Sequence, residues 1–184
     1  MRVIAGLYKG RNLRAVPGLD VRPTSDRLRE TLFNILAGRI IGTSFLDICA
    51  GSGAVGIEAL SRGARQVTFV EASRRAVRAI YDNIEHCHVE SDAEVLYFDA
   101  MAALKQLSHR HRQFDIVYFD PPYRSNVYLP VLEFLGAGKN LLAPDAMVIV
   151  EHHSKLILPD LVGDLRRYRV LRQGVTSLDF YHNL

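Results

Sequence analysis

Features that mark secreted and membrane proteins are scarce in this sequence. Only two cysteines, Cys49 and Cys87, occur among its 184 residues, and no apolar run approaches the roughly 18 residues that a membrane-spanning helix needs. The opening segment, MRVIAGLYKG, is too polar for a signal peptide. We therefore expect two reduced thiols rather than a disulfide, and a cytoplasmic protein.

The charge is ordinary in amount but unevenly distributed. Apolar residues make up 48% of the chain and charged residues 23%, which excludes a disordered protein and allows one domain with a full core. The net charge is +3, yet residues 1–40 alone hold eight basic and three acidic residues. This excess indicates a surface that contacts a polyanion, although a solvated charged face would give the same pattern.

Segments typical of strands and helices alternate through most of the chain. Glycine and proline punctuate residues 1–22 as in short strands and turns, and a helix is predicted from about Ser25 to Ala37. The later predicted strands are Phe45–Cys49, Gln66–Glu71, Glu94–Phe98, Asp115–Phe119, Met147–Glu151, Tyr168–Arg172 and Leu178–Tyr181. The later predicted helices are Val55–Ser61, Arg74–His86, Ala100–Ser108, Val127–Leu135 and about Leu158–Leu165.

This alternation predicts an α/β fold with a doubly wound, mostly parallel, seven-stranded sheet. Several strands are apolar at consecutive positions, as expected where helices cover both faces. The last two strands have almost no helix between them, so they should form an antiparallel hairpin at one edge. We predict two parts, an N-terminal extension of strands and a helix over residues 1–40 and an α/β domain over residues 41–184.

A glycine-rich loop follows the first strand of the predicted α/β domain. Gly51, Gly53 and Gly56 form the pattern G-x-G-x-x-G, which permits a tight turn and close approach of backbone to a nucleotide-like ligand. Glu71 ends the second strand, where its carboxylate could accept both hydroxyls of a ribose. Asp99 ends the third strand, where it could accept a hydrogen bond from an adenine amino group.

Asp47 bears on the choice between two cofactors that suit such a loop. Loops that bind NAD usually run straight from an apolar strand to glycine. An acid at this position can instead bind the cationic amine of a methionine moiety, directly or through water. Asp47 therefore favours S-adenosyl-L-methionine.

The fourth strand ends in Asp120-Pro121-Pro122-Tyr123, which suits the chemistry of a base amino group. Each residue before a proline is held extended, so the backbone carbonyls are fixed. The Asp120 carboxylate and the Pro121 carbonyl supply two acceptors that can aim the amino lone pair, and Tyr123 supplies a face for stacking. The alternative is a rigid strand exit.

Several segments resemble the RsmD family, which makes N2-methylguanine in bacterial 16S rRNA. The most specific is Arg22–Asn34 (RPTSDRLRETLFN), and Leu46–Ala59 (LDICAGSGAVGIEA) is also similar. The opening Arg2–Gly6 and the closing Leu178–Tyr181 match as well, so the resemblance runs nearly end to end. Two small departures are Cys49, where an aromatic residue is common, and Asp179, where serine is frequent.

The resemblance implies a Rossmann-like class I methyltransferase that uses S-adenosyl-L-methionine and acts on 16S rRNA or the small ribosomal subunit. It implies that the cofactor is bound by Gly51, Gly53, Glu71 and Asp99. It implies that the guanine is held by Asp120, Pro121, Pro122 and Tyr123. We add Asp47 and Asp120 to the cofactor set because both lie near strand ends beside the loop.

The basic segment supplies the candidate RNA contacts, Arg11, Arg22 and Arg27, although Arg22 could instead reach the carboxylate of the cofactor. No metal site is expected, since the histidine pairs lack accompanying ligands at a useful spacing. We expect a monomer that acts on RNA and has no DNA or membrane partner.

Three other functions remain alternatives. A DNA adenine methyltransferase would share the proline motif but usually carries a target-recognition domain, for which this chain has no room. An NAD-dependent oxidoreductase would leave Asp120–Tyr123 unexplained. A non-catalytic RNA-binding protein would not need both Asp120 and Glu71. The sequence leaves open the target nucleotide, the choice between naked RNA and an assembled particle, and whether Asp120 accepts a proton or only positions the amino group.

Overall fold

A computed structural model describes residues 1–16, 26–123, 125–138 and 140–184. The helices there are α1 (Asp26–Leu36), α2 (Ala54–Ser61), α3 (Arg74–Cys87), α4 (Ala100–His109) and α5 (Tyr128–Gly136), with a 3-10 turn at Glu90–Asp92. The strands are β1 (Ser44–Ile48), β2 (Gln66–Glu71), β3 (Ala93–Tyr97), β4 (Phe114–Phe119), β5 (Leu142–His153), β6 (Leu161–Val162), β7 (Leu165–Gln173) and β8 (Thr176–Asn183). No helix within these ranges is both long and apolar enough to cross a membrane.

The described strands form one eight-stranded sheet in the order β3-β2-β1-β4-β5-β8-β7-β6. The strands from β3 to β5 in this order are parallel, and β8, β7 and β6 add to them in antiparallel fashion. The predicted fold class is confirmed, including the antiparallel hairpin that β7 and β8 form. The strand order reverses between β1 and β4, which is where open α/β sheets bind their ligands.

The core consists of two apolar layers, one on each face of the sheet. Helices α1, α2 and α3 pack on one face, where Phe33 and Phe45 stack with ring centroids 6.5 Å apart. Helices α4 and α5 pack on the other face, against residues such as Val117 and Val150. Coverage of both faces explains why the central strands are apolar at consecutive positions.

The beginning of the chain packs onto α2 rather than standing apart. Arg2 and Asn12 form an isolated antiparallel bridge, and the amide of Val3 donates to the Arg11 carbonyl at 3.0 Å. The buried Glu58 carboxylate on α2 accepts the amides of Ile4 and Ala5 at 2.7 and 3.0 Å. Because Val3 belongs to the same apolar layer as α2, residues 1–16 share a core with the α/β domain. A boundary at residue 40 stays a prediction.

Glu58 is the centre of a buried cluster of charges. Its carboxylate lies 2.7 Å from the guanidinium of Arg62 and 3.8 Å from that of the fully buried Arg29. Arg29 also donates to the Arg2 carbonyl at 2.5 Å and to the Asp26 carboxylate at 3.0 Å. One of the basic residues in the N-terminal excess is therefore neutralised inside the protein.

The predicted helix at about Leu158–Leu165 is wrong. This stretch forms the short strand β6 and the turn into β7. Gly163 adopts a φ of +56°, which an α-helix does not contain. Gly163 also approaches α5 so closely that an added Cβ would lie 2.2 Å from the carbonyl oxygen of Gly136. Two of the apolar residues here, Leu161 and Val162, form the edge strand β6. The described sheet therefore has one more strand than the seven predicted.

Candidate functional site

The glycine loop and the proline motif meet at the carboxyl ends of β1 and β4. The amides of Cys49 and Ala50 donate to the Val70 carbonyl of β2 at 2.9 and 3.0 Å. The Asp120 amide donates to the Ile48 carbonyl at 3.1 Å, so the exit of β4 is fastened to the exit of β1. The two predicted motifs are thus brought together at the switch point of the sheet.

Each glycine of the loop has its own structural reason. Gly51 and Gly53 have φ values of +57° and +77°, which side-chain-bearing residues rarely adopt. Gly56 lies inside α2, where an added Cβ would lie 2.3 Å from the Phe69 ring. Gly51 has nothing within 4 Å of an added Cβ, so its Cα faces open space in which a ligand could approach the backbone.

Asp47 is buried beneath the loop. Its carboxylate accepts the Gly56 amide at 2.9 Å and so ties β1 to the first turn of α2. Burial raises the pKa of Asp47 to about 7; the hydrogen bond from Gly56 opposes this rise, and the nearby Glu71 charge adds to it. The position fits a residue that shapes the loop, and direct contact with a cofactor amine stays a prediction.

Glu71 lies at the end of β2 and holds the loop from the other side. One carboxylate oxygen accepts the Gly51 amide at 2.8 Å, and the other accepts the Ser73 amide at 2.8 Å. Each oxygen keeps a further lone pair, so a diol could still bind to the carboxylate. Asp99 is exposed and caps α4, accepting the Ala102 amide at 2.8 Å.

The proline motif leaves β4 with its aromatic residue against the hairpin. Pro121 is buried and Tyr123 is 37% exposed. The Tyr123 hydroxyl lies 2.9 Å from that of Thr176, at the start of β8. The Tyr123 ring meets the His153 ring edge to face, with centroids 5.6 Å apart. One edge of the tyrosine ring is therefore fixed by β5 and β8.

Tyr128 is a site residue that the sequence analysis missed. It begins α5, is buried, and donates its hydroxyl to the Pro121 carbonyl at 3.3 Å. Burial raises the pKa of Tyr128 and the negative charge of Asp120 adds to the rise, so the hydroxyl remains a donor. The predicted amino-group acceptor, the Pro121 carbonyl, is thus already oriented by one donor and keeps a second lone pair.

Asn83 is a second residue that the sequence did not reveal. Its buried side-chain amide donates to the Ser52 carbonyl in the glycine loop at 2.9 Å. The same amide donates to the Arg14 carbonyl at 3.0 Å and accepts the Arg14 amide at 2.8 Å. It was not predicted because a polar residue within α3 gives no sign of a partner 69 positions away.

The structure distributes the three predicted RNA-binding arginines unequally. Arg27 is exposed on α1. Arg11 donates to the His86 and Cys87 carbonyls at 3.3 and 2.6 Å, and so satisfies the C-terminal end of α3. Arg22 lies outside the described residues. RNA contact by any of them stays a prediction.

The acidic side chains at this edge of the sheet suit S-adenosylmethionine better than a dinucleotide. Acidic residues at or near the ends of four strands surround the loop, namely Asp47, Glu71, Asp99 and Asp120. Carboxylates attract a ligand with a sulfonium and an ammonium group, and they repel a pyrophosphate. In the part of the chain that the structure describes, His, Cys, Asp and Glu do not gather in a group of three that could hold a metal ion.

Comparison with known proteins agrees with this arrangement. The family model described as "Conserved hypothetical protein 95" matches residues 1–182. Ribosomal RNA small subunit methyltransferase D of Escherichia coli is 34% identical over 98% of this chain and 89% of its own length. YlbH of Bacillus subtilis is 36% identical over 98% of both proteins.

Solved structures have the same fold. The yhhF protein of Escherichia coli superposes with a TM-score of 0.87 at 33% identity, covering 100% of this chain and 97% of its own. A structure in complex with S-adenosylhomocysteine has a TM-score of 0.65 at 14% identity, covering 84% of this chain and 49% of its own. The architecture is that of the S-adenosylmethionine-dependent methyltransferases, and the chain belongs to the RsmD/YlbH family.

Proposed function

We propose that this protein methylates the exocyclic N2 amino group of a guanine in 16S rRNA, with S-adenosyl-L-methionine as the methyl donor. The observation that carries the proposal is the hydrogen bond between the Asp120 amide and the Ile48 carbonyl. It fastens the amino-binding motif beside the loop that would hold the methyl donor. Relatives in Escherichia coli and Haemophilus influenzae are named ribosomal RNA small subunit methyltransferase D, at 34% and 35% identity.

The chain contributes positioning more than chemical activation. S-adenosylmethionine supplies an already activated methyl group. The Asp120 carboxylate and the Pro121 carbonyl would accept the two N–H groups of the guanine and aim its lone pair at that methyl. Asp120 or water would take the amino proton that leaves as the methyl group passes from sulfur to the guanine nitrogen. Holding the reactants in this geometry supplies most of the rate acceleration.

Two tyrosines would complete the substrate pocket. Tyr123 presents an aromatic face at the exit of β4, on which the guanine can stack. Tyr128 donates to the Pro121 carbonyl at 3.3 Å and so keeps that acceptor in a fixed orientation. We place the reaction in the cytoplasm and propose that a monomer acts on RNA in the assembled small subunit, where bound proteins can add contacts to the limited basic surface.

The decisive test is mass spectrometry of 16S rRNA nucleosides from cells with and without the gene. N2-methylguanosine should fall when the gene is removed and return when the wild-type gene is restored. A gene encoding Asp120→Ala is the matched control and should not restore it. Loss of N6-methyladenosine instead would identify an adenine methyltransferase, and an unchanged nucleoside profile would refute the proposal.

A further inference from the structure

A cleft of about 470 Å³ lies between the end of β5 and the β7–β8 hairpin. Its volume lies within the range of small-molecule binding sites. Its walls come from residues 152–157 around the end of β5 and from the facing strands of the hairpin, 167–172 and 177–179. The principal lining residues are His152, Leu156, Ile157, Val170, Arg172 and Asp179.

The cleft adjoins the candidate site through the end of β5. The His152 ring meets the Tyr128 ring edge to face, with centroids 6.5 Å apart, and Tyr128 donates to the Pro121 carbonyl. The next residue, His153, packs against Tyr123. His152 and His153 point to opposite faces of the sheet at the carboxyl end of β5, so an RNA strand that contacted both places would pass around this end of the strand.

The floor of the cleft is a fixed polar pair. The imidazole of His152 lies 3.0 Å from the Asp179 carboxylate, and both residues are buried. Burial alone raises the pKa of Asp179, but the nearby His152 ring and the Arg167 guanidinium outweigh burial and hold it below its usual value. Arg167 also pairs with Asp160. Arg167 thus holds the Asp179 carboxylate in place at the base of the cleft.

The rim of the cleft combines exposed apolar surface with a cation. Ile157 is 86% exposed, Val170 is 43% exposed and Leu156 is 37% exposed. Arg172 is exposed beside them, and unlike Arg167 it carries no ion pair to a carboxylate among the described residues. A flat apolar ring attached to an anionic group would match this combination.

We infer that the cleft binds an unpaired nucleotide that neighbours the methylated guanine, with its base on Ile157 and Val170 and its phosphate on Arg172. The inference rests on the proposed function. RNA is favoured over a protein segment because β7 itself is strongly basic and contains no acidic residue. The ring of an unpaired base can cover exposed aliphatic side chains while a cation contacts its phosphate.

Strand β7 offers a matched control for the test. Arg166 and Arg172 are both exposed on this strand, but only Arg172 lines the cleft. We would measure the affinities of Arg166→Ala, Arg172→Ala and Ile157→Ala for a protein-free 16S rRNA transcript across a series of salt concentrations. Calorimetry with S-adenosylhomocysteine would follow the cofactor site independently.

The three variants should separate by their salt dependence. Arg172→Ala should weaken binding and reduce the slope of log K against log salt by about 0.7, as one lost phosphate contact on a single strand does. Ile157→Ala should weaken binding about fivefold with an unchanged slope, because it removes apolar contact with the base and no charge. Arg166→Ala should change affinity less than about twofold, and S-adenosylhomocysteine should bind all three variants as it binds the wild type.

Two results would overturn the inference. One is an Arg172→Ala variant that behaves like Arg166→Ala. The other is that Arg172→Ala or Ile157→Ala binds free rRNA normally but has a raised KM for small ribosomal subunits. That result would indicate that the cleft contacts a ribosomal protein. If RNA binding depends on Arg172 and Ile157 as expected, yet the wild type transfers no methyl group to guanine, the proposed function fails and the cleft remains an RNA site.

Discussion

The contact between Tyr123 and Thr176 allows the role of the proline motif to be tested in parts. Replacing Tyr123 with phenylalanine removes the hydroxyl, which lies 2.9 Å from that of Thr176, and keeps the ring. Replacing it with alanine removes the ring as well, together with its edge-to-face contact with His153. The two variants therefore differ by the aromatic surface that we propose for stacking.

The structure sets the size of each effect. A neutral hydrogen bond contributes about 0.5–1.5 kcal/mol, so Tyr123→Phe should lower kcat/KM by roughly two- to tenfold. Loss of base stacking adds about 1–3 kcal/mol. Loss of the His153 contact adds roughly 0.5–1 kcal/mol. Tyr123→Ala loses all three contributions, and should therefore lower kcat/KM by between about 30- and 10,000-fold.

The assay is transfer of labelled methyl groups to small ribosomal subunits from cells that lack the gene. Thr176→Val is the matched control, since it removes the same hydrogen bond from the other side and keeps the shape of the side chain. Its effect should equal that of Tyr123→Phe, and the double variant should be no worse than either single one.

Two outcomes would refute this reasoning. If Tyr123→Phe is as damaging as Tyr123→Ala, the hydroxyl rather than the ring carries the function. If Thr176→Val is silent while Tyr123→Phe is damaging, the hydroxyl acts on the substrate and does not serve to fix the ring.

The remaining predictions concern the acids and the basic surface. Asp120→Ala should abolish most methyl transfer without changing the melting temperature, and Asp120→Asn should retain more activity because it keeps an acceptor oxygen; full activity in the alanine variant would leave the motif as a strand exit. Glu71→Ala should weaken S-adenosylhomocysteine binding in calorimetry by about 1.5–3 kcal/mol, the value of a charge-assisted hydrogen bond, and unchanged affinity would contradict its role. Asp47 has a pKa of about 7 in the folded protein, above its unfolded value, so it contributes stability at low pH that is lost as pH rises through 7. Asp47→Asn should therefore gain free energy of unfolding relative to wild type between pH 4 and pH 8, by on the order of 4 kcal/mol in urea titrations, and a constant difference would contradict the shifted pKa. Arg27→Ala should weaken RNA binding and leave the melting temperature unchanged, whereas Arg11→Ala should lower the melting temperature through the loss of the α3 cap; the reverse pattern would exchange their roles.

The sequence predicted best where local pattern and tertiary packing agree. The apolar runs around Ile116 and Ile149 predicted buried central strands, and helices do cover both faces of them. At Leu158–Leu165 the two disagreed, because the spacing of apolar residues suited a helix while the backbone at Gly163 did not. Packing against Gly136 of α5 then selected the extended form.

The sequence predicted the motifs of the candidate site but not the residues that hold those motifs in place. Gly51, Glu71 and Asp120 belong to short local patterns that can be read directly from the sequence. Tyr128 and Thr176 act through partners on other elements, so no local pattern marks them. The use of Arg11 as a helix cap was hidden for the same reason, since a basic residue in a basic segment suggests only RNA.

The side chain of Asn83 links the glycine loop to the N-terminal segment of the chain. One amide group holds both the carbonyl of Ser52 in the glycine loop and the backbone of Arg14 at the end of the first described segment. A ligand that immobilises Ser52 should therefore also restrain the backbone of Arg14, and a contact that restrains Arg14 should favour binding of that ligand by the same free energy. A ligand at the glycine loop should therefore slow amide hydrogen exchange at Arg14 without movement of either strand or helix.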